Sequence, residues 1–365
     1  MDILKNINLF RESKGFTESL LLNKIGESKS FFSDLRDGNI ELNTKILINI
    51  ALALDIKLEQ LLRPVGNFSS LRFRSRKPNE QQKAQREIHI LQLSIWLENY
   101  QYIEELLNTK ILYKLQDVQN NNPEKTAIDA RIKLGLSDVE PILDIGSLIE
   151  NRAGIKLYNF KSDLENFFGL SIGLEDGEPI IAYNDNSDIS VERKIFTIAH
   201  ELGHLLLHKH SYHQNSVEED EIEEKEADQF ASYFLMPEKA FAKKWEESKG
   251  KSFIERVFHV KRYFKVSYKT VLQRFQKNGW KQNPFKLFNR YYKQKAKKEN
   301  LIYPLKKKDE PYQLEEVDLM VDRLESLVRI AYEKELISNS KAAEVLELSL
   351  IDFKDRALMW NKELP

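Results

Sequence analysis

The 365-residue chain contains no cysteine. That absence removes disulfide frameworks and thiolate zinc sites, leaves histidine and carboxylate as the side chains able to hold a metal, and fits a reducing compartment. The chain also lacks any run approaching eighteen uninterrupted apolar residues, and its opening, MDILKNINLF, has no basic stretch followed by an apolar one. Neither a membrane span nor a secretory signal is expected, and a cytoplasmic protein with no membrane partner follows. An excess of either charge is missing too. With 56 basic against 57 acidic residues the formal net charge is −1, so any argument for nucleic-acid binding has to be local. The composition, 41% hydrophobic and 31% charged, is that of a globular chain long enough for two or three domains.

What the chain does have is one stretch that organises the rest, Ser190 to His208, SVERKIFTIAHELGHLLLH. The spacing of Ile195, Phe196, Ile198, Ala199, Leu202, Leu205 and Leu206 predicts a largely buried helix. On it His200 and His204 stand four apart, leave the same face and can close on one metal ion, with Glu201 beside them. HExxH alone is short enough to arise by chance in a helix with two half-buried histidines. The next stretch adds to it. Glu221 to Pro237, EIEEKEADQFASYFLMP, predicts a second helix with Ile222, Phe230, Ala231 and Phe234 on its apolar side. Glu224 and Asp228 stand one turn apart there; a glutamate so placed can complete a two-histidine zinc site, and the acid can accept the outer N–H of a ligating histidine. Glu223 and Glu226 stay open as rivals for the third ligand, one or two residues out of register. His210 falls where H-E-x-x-H-x-x-G-x-x-H has its third histidine, but Leu207 stands where that pattern needs glycine. His208, one turn beyond His204, reads either as facing the cleft or as a histidine favoured by a helix C-terminus.

HELGHLLLH followed by EKEADQFASYFLMP resembles the ImmA/IrrE family of metallopeptidases, whose signature couples HExGHxxLH to an E-x-E-A-N/D-x-F-A…LMP helix. The resemblance implies Zn²⁺ held by His200, His204 and Glu224, Glu201 as general base and Asp228 behind a ligating histidine. It also implies a narrow protein substrate, a transcriptional repressor or regulator encoded nearby, cut in a stress, mobile-element or defence response. The alternative is a DNA-binding regulator or antitoxin-like binding module whose zinc site is idle or structural.

The flanks complete a fold that is mainly α with a small β-sheet, an α+β zincin-like domain between helical N- and C-terminal domains. Residues 1–63 alternate helical patterns with turn signals, and five short helices fit. This stretch resembles the XRE-type helix-turn-helix domain, which implies a recognition helix at Ser28 to Arg36 with Ser28, Lys29, Ser30, Phe32, Ser33 and Arg36 meeting DNA. Glu18 stands where glutamine is usual, and Asp34 and Asp37 oppose phosphate, so a protein-interaction or dimerisation module is the competing reading. Residues 64–150 hold a basic linker, SSLRFRSRKP, in which Arg72, Arg74, Arg76 and Lys77 alternate with Phe73, a pattern that also suits a strand or an extended nucleic-acid contact, and one long helix or a hairpin from Glu80 to Gln119. In residues 151–280, ending near Trp280, the strands IKLYNF, FGLSIGLE and PIIAYN precede the metal helix, the last two as a hairpin. In zincins such a sheet lies over the active-site helix and its edge strand can hold an extended peptide by strand addition, so by that resemblance Gly169 to Tyr183 are expected to border the cleft. The acidic run Glu218 to Glu226 reads as a solvated loop and helix start. In residues 281–365, Lys281 to Lys308 interleaves Lys and Arg with Phe285, Phe288, Tyr291 and Tyr292, which suits single-stranded nucleic acid or a solvated helix. The helices that follow, Asp318 to Leu358, read as a packing or homodimer element.

Overall fold

A computed structural model describes residues 3–63, 68, 71–73, 80–118, 122–164, 166–213, 220–277, 282–306 and 308–362. Of the features above, Arg74, Arg76, Lys77, Glu218, Glu219, Trp280, Lys281 and Lys307 lie outside the described residues.

Five short helices open the chain: α1 (Ile3–Ser13), α2 (Glu18–Ile25), α3 (Phe31–Arg36), α4 (Thr44–Ala53) and α5 (Leu58–Leu62). Local chemistry sets their ends. Thr17 caps α2 by accepting from the Leu20 N–H, Gly26 closes it in the left-handed region at φ 74°, and Asn43 caps α4 through the Ile46 N–H. Helices this short persist only by burying their apolar faces together, and Ile7, Phe10, Leu21, Phe31, Phe32, Ile50, Leu54 and Leu61 form that core. Phe32 is thereby removed from the expected DNA-contact set, because its ring is 2% exposed inside the core. Arg36 donates to Glu18 at 2.5 Å, while Ser28, Lys29, Ser30 and Ser33 are exposed.

The chain continues through β1 (Leu71–Phe73) and α6 (Glu80–Leu107). A strand thus stands in the expected linker, and α6 stops well short of Gln119, with Asn108 turning left-handed at φ 53°. Next come α7 (Pro123–Lys133) and α8 (Ile145–Ser147), which runs into a π-helical turn at Leu148–Ala153. Three strands follow, β2 (Lys156–Phe160), β3 (Gly169–Ile172) and β4 (Ile180–Asn184), then α9 (Val191–Leu207), a 3-10 turn at Lys209–His213 and α10 (Glu221–Leu235). The remaining helices are α11 (Glu238–Glu247), α12 (Phe253–Phe264), α13 (Tyr268–Lys277), α14 (Pro284–Glu299), α15 (Arg323–Glu333), α16 (Asn339–Val345) and α17 (Leu350–Lys362). No helix among the described residues is long and apolar enough to cross a membrane.

The sheet has four strands in the order β1-β3-β4-β2. β3 and β4 form the expected antiparallel hairpin, β2 runs parallel to β4, and β1 pairs antiparallel with the other side of β3, Leu71 opposite Ile172 and Phe73 opposite Leu170. β3 is therefore an inner strand.

Two compact units result, one of Met1–Asn67, Arg76–Lys110 and Leu327–Pro365, the other of Phe68–Ser75 and Ile111–Ser326. One core runs from Leu115 on the approach to α7 through the sheet, α9, α10 and α12–α14 to Leu314. The aromatic-basic stretch is part of it: Phe288 and Tyr292 on α14 are buried, with Phe288 stacked on Tyr268 at 4.7 Å, so neither ring is available to stack on a base. In the first unit, Lys341 on α16 donates to Asn99 on α6 at 2.9 Å, and Tyr332, Phe353 and Trp360 cluster.

Candidate metal centre

Helix α9 begins at Ser190, whose hydroxyl accepts from the Arg193 N–H, and from Ile198 to Leu206 every residue is buried. Burial on all sides means that the helix is enclosed by packed neighbours, β3 and β4 among them, and α10. Gly203, the glycine of HELGH, sets the distance to α10. A Cβ there would lie 3.0 Å from the Phe230 ring and 3.3 Å from Ala227 Cα, so the helices meet closely where the site is built. Asp220 starts α10 by accepting from the Ile222 and Glu223 N–H groups, and Glu221, Glu223 and Glu224 fill its first turn, where the helix dipole favours acids. At its far end Arg131 of α7 donates to the carbonyl of Phe234 at 2.7 Å and to those of Ser137 and Glu140; burial pulls this guanidinium down to about 10. The N-terminal end of α9 is held by Glu192, which accepts from Lys261 and from the Leu314 N–H, while burial pushes its carboxyl up.

The two helices bring three donor side chains to one point. His200 Nε2 and His204 Nε2 lie 2.8 Å apart, and the carboxylate of Glu224 lies 3.5 Å from the first and 3.1 Å from the second. Both imidazoles are fully buried, and one ligand atom from each of His200, His204 and Glu224 falls within 4.8 Å of the others. Behind them the outer nitrogens are engaged: His200 Nδ1 with Asp228 Oδ1 at 2.8 Å, His204 Nδ1 with His208 Nδ1 at 2.9 Å, and His208 Nε2 with Glu226 Oε2 at 3.0 Å. A carboxylate can only accept, so each chain of contacts reads in one direction. His200 donates Nδ1–H to Asp228. His208 donates Nε2–H to Glu226, which leaves its Nδ1 to accept from His204 Nδ1–H. Both α9 ligand candidates then present Nε2 lone pairs toward each other and toward an anionic carboxylate.

Three lone-pair donors converging in a buried place repel one another, and a divalent cation removes that repulsion. The donor chemistry, two imidazoles and one carboxylate, is that of a catalytic zinc. Ligands about 2.0–2.1 Å from a tetrahedral ion stand about 3.3 Å apart, and the observed separations of 2.8 to 3.5 Å straddle that value. The residues present fit the ion.

Glu201 is outside this cluster and one of its oxygens meets the sheet. Its carboxylate is 1% exposed and Oε2 accepts from Ser171 Oγ of β3 at 2.7 Å; Ser171 Oγ in turn lies 2.7 Å from the Tyr212 hydroxyl. Gly169 permits this approach, since a Cβ there would fall 2.5 Å from Thr197 Cγ2 and 3.2 Å from Glu201 Oε1. The rivals for third ligand have other partners. Glu223 accepts from Ser211 Oγ and lies 3.6 Å from His210, whose side chain is 72% exposed, and Glu226 meets His208. Sequence reasoning left the role of His208 open and missed Ser171 and Tyr212. A serine inside an all-buried four-residue strand was the available signal for the first, because a buried hydroxyl needs a partner.

Residues 151–276 match the family model of the IrrE N-terminal-like domain, a family of peptidases. The match takes in β2, β3, β4, α9 and α10 and runs into the last turn of α13. β1 and every helix from α1 to α8 lie outside it, as do α14 to α17. No curated protein and no solved structure matches the chain.

Proposed function

We propose that this chain is a zinc-dependent endopeptidase of the HExxH type, acting in the cytoplasm on a specific protein partner, a transcriptional repressor or regulator. The observation that carries the reading is a buried carboxylate, Glu201, next in sequence to one of two imidazoles that converge with Glu224, inside a segment similar to a peptidase family. Held by His200, His204 and Glu224, a zinc ion supplies a water of lowered pKa and polarises the scissile carbonyl.

The chain's own residues do the rest. Glu201 is one residue from His200 yet outside the ligand cluster, which is the position of a general base that takes the proton of the attacking water and returns it to the leaving amine. Ser171 holds Oε2 and so fixes the rotation of the carboxylate. Asp228 and the Glu226–His208 pair fix the tautomers and ring planes of the two histidines, keeping Nε2 on each as the inward nitrogen. The buried wall of Ile198, Leu202 and Leu206 keeps bulk water from the back of the site.

The test is co-expression of the wild type or Glu201→Gln with DNA-binding regulators encoded beside this chain, read on a gel and by transcriptional output. A fragment from the wild type alone, with equal zinc in both forms, supports the proposal. Equal output and no fragment from either form, with a genuine partner present, leaves the chain as a regulator with an idle site.

A further inference from the structure

β3 is the strand nearest the chemistry: Ser171 bonds Glu201, and Gly169 packs against Thr197 and Glu201. On the peptidase reading, a peptide lying along the free side of β3 passes closest to the general base. That side is taken by β1 over three residue pairs, Leu71–Ile172, Arg72–Ser171 and Phe73–Leu170, antiparallel. Three further observations mark β1 as an occupant rather than a member of the sheet. It lies outside the 151–276 segment that matches the peptidase family, which contains the other three strands. It is three residues long, close to the shortest pairing a ladder can make, while β2 and β4 pair over five. Its surroundings in sequence, SSLRFRSRKP, are polar and basic, with Leu71 and Phe73 set among arginines.

We propose that β1 is an internal competitor for the substrate strand: Leu71–Phe73 holds the edge of β3 that an extended substrate segment must pair with, and the peptidase works when β1 gives way. This rests on the proposed peptidase activity and adds its regulation. It also states the form of the substrate, an unfolded or loop segment able to run antiparallel to β3 through its main chain, with a basic-apolar pattern such as Leu-Arg-Phe tolerated there. The segments on either side of β1 in sequence, Met1–Asn67 and Arg76–Lys110, both belong to the other unit, so the chain enters and leaves the competitor from that unit.

The test uses the full chain in the Glu201→Gln background, where binding is read without chemistry. The probe is a fluorescent peptide copying residues 68–77, FSSLRFRSRK. Arg72→Pro disfavours the strand, and is expected to raise peptide affinity at least tenfold by anisotropy and to increase hydrogen exchange of the Gly169–Ile172 amides. Because the natural chain has no cysteine, Leu71→Cys with Ile172→Cys gives a second, opposite variant: oxidised, it should lose peptide binding, and reduction should restore it. Equal affinity in wild type, Arg72→Pro and the oxidised pair overturns the proposal. Tighter binding to Arg72→Pro with no cleavage after Glu201 is restored leaves β1 as a competitor for that edge and instead removes the peptidase reading.

Discussion

Ser171 Oγ on β3 donates a 2.7 Å hydrogen bond to Glu201 Oε2 on α9, and the Tyr212 hydroxyl lies 2.7 Å from the same oxygen of Ser171. A strand, a helix and a 3-10 turn thus meet at one serine hydroxyl, and on the proposed mechanism the sheet takes part in the chemistry. Ser171→Ala removes a hydroxyl that orients Glu201. Cleavage should fall by about ten- to a hundredfold, the order expected when a reacting group is misplaced by a fraction of its working distance. Zinc content and thermal stability should barely move; a variant with full activity would separate Ser171 from the mechanism.

The two chains behind the histidines make a separate prediction. Asp228 engages His200 and Glu226 reaches His204 through His208. Outer partners of metal-bound histidines contribute about ten- to a hundredfold in metal affinity. Asp228→Ala and His208→Ala should each weaken zinc binding by that order in a chelator competition, with Glu223→Gln unchanged. Wild-type affinity in both variants would show that the tautomers are set elsewhere.

Close approach of α9 and α10 is a third point of attack. Gly203→Val places a branched side chain where a single Cβ already meets Phe230 at 3.0 Å. Overpacking of this kind costs about 1–3 kcal/mol. The variant should melt earlier and bind zinc more weakly, since Glu224 rides on the displaced helix. Unchanged melting would mean that the interface is looser than the contacts indicate.

A fourth prediction concerns pH and the other unit. Burial pulls the imidazole of His89 on α6 down from 6.5 to about 4. Between those values the unfolded chain binds a proton that the folded chain refuses, so stability is fully present above pH 6.5, falls as the pH drops, and levels near pH 4. The shift corresponds to a loss on the order of 3 kcal/mol. Urea unfolding at pH 7 and pH 4.5 should show this loss in the wild type and much less of it in His89→Leu; parallel losses in both would assign the acid limb to other groups.

What could be read from the sequence follows from where physical periodicity is strong. α9 was legible because its apolar residues recur at helical spacing, and the four-residue step that puts His200 and His204 on one face is a property of any helix. Glu224 stood out from Glu223 and Glu226 through Asp228 one turn on, and the structure places Asp228 against His200. β1 was legible only as the alternative to a linker: three residues alternating with arginines are too few to fix a period, and their partner strand is about a hundred positions away in the chain. Phe32 was misjudged because a six-residue helix has too few positions to separate a buried face from an exposed one, and its second aromatic went into the core beside Phe31. Phe288 and Tyr292 failed in the same way on α14: a basic composition hid the four-residue spacing that puts both rings on the buried face.

The central claim is that His200, His204 and Glu224 hold a catalytic zinc, with Glu201 beside it and not bound to it. Elemental analysis of purified variants tests this directly. About one zinc per chain is predicted for the wild type, Glu201→Gln, Glu223→Gln and Glu226→Gln, and little or none for His200→Ala, His204→Ala and Glu224→Gln. Undiminished zinc in Glu224→Gln, or its loss from Glu223→Gln or Glu201→Gln, would contradict the account.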